Sequence, residues 1–319
     1  MKVLVCPLNW GLGHAARCIP IIAQQLAENH EVVIAADGFP MALLRQEFPS
    51  LRFIECPSYS ISYSTGKSQI GAMLRSFPSI IGGVFHEHSW LKSLIKTEHF
   101  DRVISDNRFG MWSSRCESIY ITHQLMVKMP KQLKFIEPIV WVLHSMFIAR
   151  YNSCWIPDSA NSPTLSGDLS HLYPLPRNAK FIGPLSRFNT LGKIFPNKEF
   201  EVVAVLSGVE PQRTMLEQEL ISRFKLELVP TLIVCGQPRS EKLSSKIENI
   251  TLVSHLESDE IAAILLGAKH IITRSGYSTI MDLDALNCLY KAEFIPTPGQ
   301  TEQKYLAELH KFNAEFAMQ

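Results

Sequence analysis

Short β-branched runs recur along the chain, with helix-like segments between many of them. The first set is Lys2 to Leu8, Glu31 to Ala36, Arg52 to Cys56, Val103 to Ser105, Ile119 to Thr122, Trp155-Ile156 and Lys180 to Ile182. After a polar stretch the pattern restarts with Val202 to Leu206, Leu232 to Val234, Ile250 to Val253, His270 to Thr273 and Glu293 to Ile295. Continuous apolar runs without strict alternation suit strands buried on both faces, as in parallel sheets. Strands alternating with helices predict βαβ units. The restart predicts two α/β domains facing across a cleft: residues 1–185, a linker over 186–199 broken by Gly192 and Pro196, and residues 200–319. The length of 319 residues agrees, at ~150 residues per domain. Ligands of such sheets sit where strand carboxyl ends meet helix amino ends.

Composition removes several classes. The chain is 46% hydrophobic and 19% charged, enough to bury sizeable cores and too apolar for disorder. Lys+Arg is 31 and Asp+Glu is 30, which argues against a dedicated nucleic-acid binder. Cys6, Cys18, Cys56, Cys116, Cys154, Cys235 and Cys288 are scattered singly, an odd number with no CxxC pair. That excludes a disulfide scaffold or zinc ribbon and fits a reducing cytosol. Pro7 and Asn9 interrupt the apolar run after Met1-Lys2, so no secretory signal is expected. Pro138 to Ala149 is the longest apolar stretch, short of the ~20 residues that span a bilayer. A cytoplasmic protein is predicted, soluble or peripheral at the membrane's cytoplasmic face.

The loop after the first strand reads Pro7-Leu8-Asn9-Trp10-Gly11-Leu12-Gly13-His14-Ala15-Ala16-Arg17. Gly11, Gly13 and Ala16 fit GxGxxA, and Asp37 ends the second strand where a dinucleotide fold places its ribose-binding acid. A nicotinamide or flavin oxidoreductase is therefore one reading. Against it, five residues from Cys6 to Trp10 separate strand from glycine, and Trp10 and His14 are bulky where backbone must press on a pyrophosphate. On the other reading the glycines make room for an acceptor, beside Arg17, and His14 is a general base. Asp106, at the end of Val103-Ile104-Ser105, either orients that histidine or caps a turn. His123 ends the next strand and lines the same cleft or is simply a polar strand end.

The second half carries more specific signals. Ser207-Gly208 precedes a helix start marked by Pro211, a general site for a diphosphate. Arg274-Ser275-Gly276-Tyr277-Ser278-Thr279 then leads into a helix with Asp282 one turn beyond Thr279. The hydroxyls of Ser275, Ser278 and Thr279 either cap that helix or hold phosphate oxygens, and Asp282 suits ribose hydroxyls. Gln300 and Gln303 follow in a polar loop before Tyr305; carboxamides both donate and accept, which suits a sugar.

At these residues the chain resembles GT-B glycosyltransferases, particularly family 28, which includes the N-acetylglucosaminyltransferase of the lipid-linked peptidoglycan precursor. The family's Arg-x-Gly, hydroxyl and acid positions match Arg274, Gly276, Thr279 and Asp282, with Asp here where Glu is commoner. Its glutamine motif matches Gln300 and Gln303. Its Gly-Gly-His loop matches Gly11-Leu12-Gly13-His14, with Leu12 replacing a glycine. Ser207-Gly208 and His255-Leu256 match the diphosphate and uracil loops. The resemblance implies a GT-B fold of two Rossmann-like domains and inverting transfer from a UDP-sugar, N-acetylglucosamine being one candidate. The acceptor would be a hydroxyl on a lipid-linked or cell-envelope glycan. UDP-sugar enters as co-substrate, and neither cofactor nor metal is required. GT-B chains commonly end with a helix returning to the first domain; here the chain runs only a short way past Tyr305.

Two further segments compete for function. Asp282-Leu283-Asp284 spells DxD and His86-Glu87-His88 alternates ligand types, but on a helix neither spacing puts the side chains on one side. Gln132 to Tyr151, rich in Leu, Ile, Val, Phe and Trp with Lys131, Lys134 and Arg150 nearby, is predicted to be a buried helix. Its alternative is an acceptor or membrane-surface patch. A non-catalytic nucleotide-sugar-binding subunit also fits the motifs. The loop Ser58 to Gln69 shapes the pocket without a readable code.

Overall fold

The computed structural model describes residues 1–58, 69–208, 210–238 and 243–317. Most of the loop Ser58 to Gln69 lies outside them. The first half contains β1 (Lys2–Pro7), α1 (Leu12–Ala27), β2 (Glu31–Ala36), α2 (Gly38–Glu47), β3 (Arg52–Glu55), α3 (Gln69–Thr97), β4 (Arg102–Asp106), β5 (Glu117–Ile121), α4 (Glu137–Ile148), β6 (Ser153–Ile156), α5 (Asp168–His171) and β7 (Ala179–Phe181). The second contains β8 (Val202–Val205), α6 (Gln212–Phe224), β9 (Thr231–Val234), β10 (Ser244–Ile247), β11 (Ile250–Val253), α7 (Ser258–Gly267), β12 (His270–Thr273), α8 (Tyr277–Ala285), β13 (Ala292–Phe294) and α9 (Thr301–Ala317).

The strands pair in the order β3-β2-β1-β4-β5-β6-β7 and β10-β11-β9-β8-β12-β13. Every pairing is parallel except β10 with β11. Burial explains the arrangement. Leu4, Val5, Ile34, Val103 and Ile104 are inaccessible, as are Val203, Ala204, Ile233, Ile271 and Ile272, so both faces of each sheet are covered.

Strand order reverses at two places. In the first sheet β1 lies between β2 and β4, with Pro7 opposite Asp106. In the second, β8 lies between β9 and β12, with Val205 opposite Thr273. Adjacent crossovers leave on opposite faces at such points and open a crevice at the strand carboxyl ends. The motif loops at 8–14, 107–108, 207–208 and 274–276 emerge there.

The halves are joined by more than chain connectivity. Leu165 and Leu169 pack with Tyr277, Ile280, Met281 and Leu306 in one apolar cluster. From α9, Tyr305 Oη accepts the Asp168 N–H at 2.6 Å, and His310 Nε2 donates to the Leu165 carbonyl at 2.9 Å. The short run past Tyr305 thus already supplies a helix that meets the first half. Segment 186–199 is not a loose tether either, because Phe188 is buried in the core of the second half.

One prediction is overturned. The Gln132 to Tyr151 segment is helical over α4, but Phe135, Ile139, Val142, Leu143 and Met146 are exposed. What it buries is Glu137, His144 and Ile148. The Glu137 carboxylate accepts the Met129 N–H at 3.0 Å, and His144 Nδ1 donates to the Leu125 carbonyl at 3.2 Å. Polar side chains holding the preceding loop took the inward face, and the apolar stripe was left outside.

Candidate active site

A cavity of about 470 Å³ lies between the two halves. From the first half Gly11, Gly13, His14, Arg17 and His123 line it; from the second come Ser207, Gly208, His255, Leu256, Gly276, Ser278, Thr279, Asp282, Gln300 and Gln303. The fold therefore gathers these motif residues around one space. Asp106, Arg274 and Ser275 stand behind its walls.

On the first side, Gly11 adopts φ 139° and ψ 168°, a conformation that essentially only glycine tolerates. It turns the chain from β1 into α1. Gly13 is needed for approach: a Cβ there would lie 3.0 Å from Ser278 Oγ, whose hydroxyl donates to the Gly13 carbonyl at 2.8 Å. The two halves meet at that bond.

One turn of α1 then places His14 and Arg17 over Asp106. His14 Nδ1 lies 2.7 Å from Asp106 Oδ1. Arg17 donates through Nε to Oδ2 and through Nη2 to Oδ1. Arg17 Nη2 is also 3.0 Å from His14 Nδ1. A guanidinium only donates and a carboxylate only accepts, so the Nδ1 proton belongs to the shorter bond with Asp106. Nε2 is then the basic nitrogen of His14. Burial alone would raise the Asp106 carboxyl, but Arg17 and then His14 overcome it and hold it at about 2. Burial and the Arg17 charge lower His14 below its ordinary 6.5, against the pull of Asp106. The imidazole is thus neutral near pH 7, as a base must be.

On the second side, α8 begins at Gly276 with no side-chain cap. Ser275 Oγ donates to the Gln303 carbonyl at 2.7 Å, and Ser278 bonds Gly13. Neither serine caps the helix, and its first residues, Gly276 to Thr279, line the cavity. A positive φ of 104° at Gly208 turns the loop after β8 into the same space. Together these form a setting for an anion.

Two expected donor contacts, Arg274 and Ser275, are corrected, and a third, Asp282, lines the cavity with its carboxylate engaged by protein. Arg274 is buried and donates to the carbonyls of Ile295, Pro296 and Gln212 at 2.8–3.2 Å, so it braces the loops under the cavity rather than reaching a ligand. Ser275 is fully buried on Gln303. Asp282 lines the cavity, but Oδ1 accepts from Ser186 Oγ at 2.7 Å and Oδ2 lies 3.3 Å from Arg187 Nε. The shorter side chain turns to the linker. Gln303 keeps its place while its Oε1 accepts the Thr297 N–H at 2.7 Å. Glu302, Arg187, Lys128 and Tyr277 line the cavity without having been expected. Glu302 was within reach of sequence reasoning, lying between the two glutamines.

The competing motifs fare differently. Asp37 accepts from Asn9 Nδ2 at 2.8 Å and from Ser58 Oγ at 2.6 Å, with Arg108 at 3.4 Å, so the acid of the dinucleotide reading is engaged by protein. Glu87 pairs with Arg108 at 2.9 Å, His88 stacks on Trp112 and His86 is exposed. Among the described residues no three His, Cys, Asp or Glu side chains gather as a metal site.

No family profile matches the chain. It is 25% identical over 307 residues, 88% of its length and 74% of the relative's, to an uncharacterized glycosyltransferase of Methanosarcina acetivorans. Among solved structures it is similar to the glycosyltransferase SsfS6 of Streptomyces sp. SF2575 complexed with thymidine diphosphate, at TM-score 0.59 and 13% identity over 97% of this chain and 86% of that one. It is also similar to Arabidopsis thaliana UGT89C1 complexed with UDP-L-rhamnose, at TM-score 0.53 and 13% identity over 99% and 93%. The architecture is the GT-B fold, two α/β halves facing across a cleft.

Proposed function

We propose that the chain is a glycosyltransferase that moves a sugar from a nucleotide diphosphate sugar to an acceptor hydroxyl with inversion. The observation that carries this reading is the pairing across one cavity of a half-buried imidazole, held on a buried carboxylate, with an uncapped helix start. His14 Nε2 takes the proton of the acceptor hydroxyl. The oxygen attacks the anomeric carbon from the first-half side. The bond from that carbon to the diphosphate oxygen breaks, and its electron pair leaves on the diphosphate. The amides at the start of α8 and the loop at Ser207-Gly208 stabilise the charge that develops there. That electrostatic work is what a metal would otherwise supply, so none is invoked.

UDP is the proposed nucleotide, read against His255 and Leu256, and N-acetylglucosamine the first sugar to test. The proposed acceptor is a lipid-linked glycan at the cytoplasmic face of a membrane. Val127, Pro130 and Leu133 line the cavity, and the chain runs from them directly into the exposed stripe of Phe135, Ile139, Val142, Leu143 and Met146. The exposed cations Lys134 and Arg150 flank that stripe, a combination suited to an anionic bilayer surface. Among the described residues no helix is long and apolar enough to cross a membrane.

Thermal-shift screening against UDP-, GDP- and TDP-sugars, followed by phosphorus NMR of the mixtures, tests the function. A UDP-sugar should stabilise the protein and yield UDP when an acceptor is present. Absence of stabilisation by every nucleotide sugar contradicts the reading.

A further inference from the structure

Glu302 faces the cavity from the first turn of α9, yet its carboxylate is spent on the opposite half: Oε1 accepts from His123 Nε2 at 2.8 Å. The other nitrogen of that ring, Nδ1, lies 2.9 Å from Arg17 Nη1. Arg17 can only donate, so Nδ1 accepts and Nε2 carries the proton toward Glu302. Tyr277 of α8 stacks flat on the His123 ring, with centroids 4.3 Å apart and planes within 4°. His123 therefore belongs to the first half, while its ring is held by two groups of the second.

The consequence runs through Arg17. Its Nε and Nη2 are committed to Asp106, and Nη1 is held by His123. A planar guanidinium fixed at all three nitrogens cannot rotate. It then sets the carboxylate that fixes the His14 tautomer. The sequence of groups is Glu302, His123, Arg17, Asp106 and His14, and it begins on the donor side of the cleft and ends at the base. Thr301 Oγ1, one residue away, donates to the Lys128 carbonyl at 2.5 Å and docks the same loop.

We propose that Glu302 is a positioning residue for His14, acting through His123 and Arg17, so that the base is set only while the donor-side loop is docked on the first half. This rests on the reading of His14 as base, but the test below reads the imidazole itself and needs no turnover. The charged or titratable groups around the chain are Asp106, Arg17 and His123 beside His14, Cys18 beside Asp106, and Tyr277 against His123.

The experiment is nitrogen-15 imidazole NMR of the full chain, with UDP affinity measured on the same samples. In the native protein His14 should show one tautomer, with its proton on Nδ1. Glu302→Ala should give His14 a mixture of tautomers while UDP affinity stays within about twofold, because Oε1 serves His123 and not the nucleotide. Glu302→Gln, which keeps an acceptor for the His123 N–H, should restore most of the single-tautomer signal. Should Glu302→Ala not fold, His123→Phe keeps a ring on Tyr277 but cuts both polar links, and the same mixture is expected. An unchanged His14 signal in the folded variant overturns the proposal. So does a tenfold loss of UDP affinity with His14 unaltered, which would make Glu302 a donor contact. Failure of the native protein to bind UDP would remove UDP as the proposed nucleotide but leave the histidine readout standing.

Discussion

Arg17 is the residue on which the dyad depends. Its guanidinium and the Asp106 carboxylate are both buried, and two charges out of water are tolerated only as a pair. Arg17→Ala leaves Asp106 without its cation, so denaturant unfolding should show a loss of about 3–5 kcal/mol. The same carboxylate predicts acid behaviour. Its pKa falls from 3.8 to about 2 on folding, so the stability it contributes is present above pH 3.8. That stability should disappear as pH falls toward 2, and Asp106→Asn should remove that part of the acid slope. His14 makes the kinetic prediction. His14→Ala should lower turnover by ~10²–10⁴-fold with UDP affinity retained. The acid limb of the native pH–rate profile should fall below pH 6.5, because the folded pKa is lowered. Near-native turnover in His14→Ala would remove the histidine from the chemistry. Residue types at this site were legible in sequence, but partners were not. Nothing in the local sequence says that Arg274 points under the cavity, that Asp282 turns to Ser186, or that Glu302 meets a histidine 179 positions away.

At the scale of elements, strands buried on both faces were readable because burial leaves a continuous apolar run. The edge strand β10 carries Ser-Ser-Lys-Ile, all exposed, and has no such mark. It exists because β11 offers it a partner. For α4 the apolar run marks a helix, but periodicity cannot say which face is covered when buried polar groups compete for it. That stripe makes the membrane proposal measurable. The protein should float with anionic vesicles, and Ile139→Glu with Met146→Glu should abolish flotation without lowering stability; no flotation of the native protein would remove the proposal. Helix α3 makes a separate prediction through Glu87. Burial outweighs Arg108 and pushes its carboxyl up to about 7 from 4.5. Between those values the folded chain holds a proton that the unfolded chain has released. This group's contribution therefore declines as pH rises from 4.5 to 7. Glu87→Gln should flatten that part of a urea-unfolding series, and an unchanged slope would contradict the assignment.

At the scale of the molecule, the two switch points explain why so short a set of motifs makes a site. Each sheet delivers its loops to the crevice where strand order reverses, and the apolar cluster around Leu165, Tyr277 and Leu306 keeps the crevices facing. A ligand that bridges the halves should stabilise them together, so UDP should raise the melting temperature with its concentration. Fold alone does not carry the chemistry, since one architecture hosts many reactions. The most direct test is a crystal structure of the UDP complex. The account predicts the diphosphate within hydrogen-bond distance of the amides at 277–279 and of the Ser207-Gly208 loop, uracil against His255 and Leu256, and His14 Nε2 facing the space left for the sugar. A nucleotide bound outside this cavity, or a diphosphate seated on the Gly11–Gly13 loop, would contradict it.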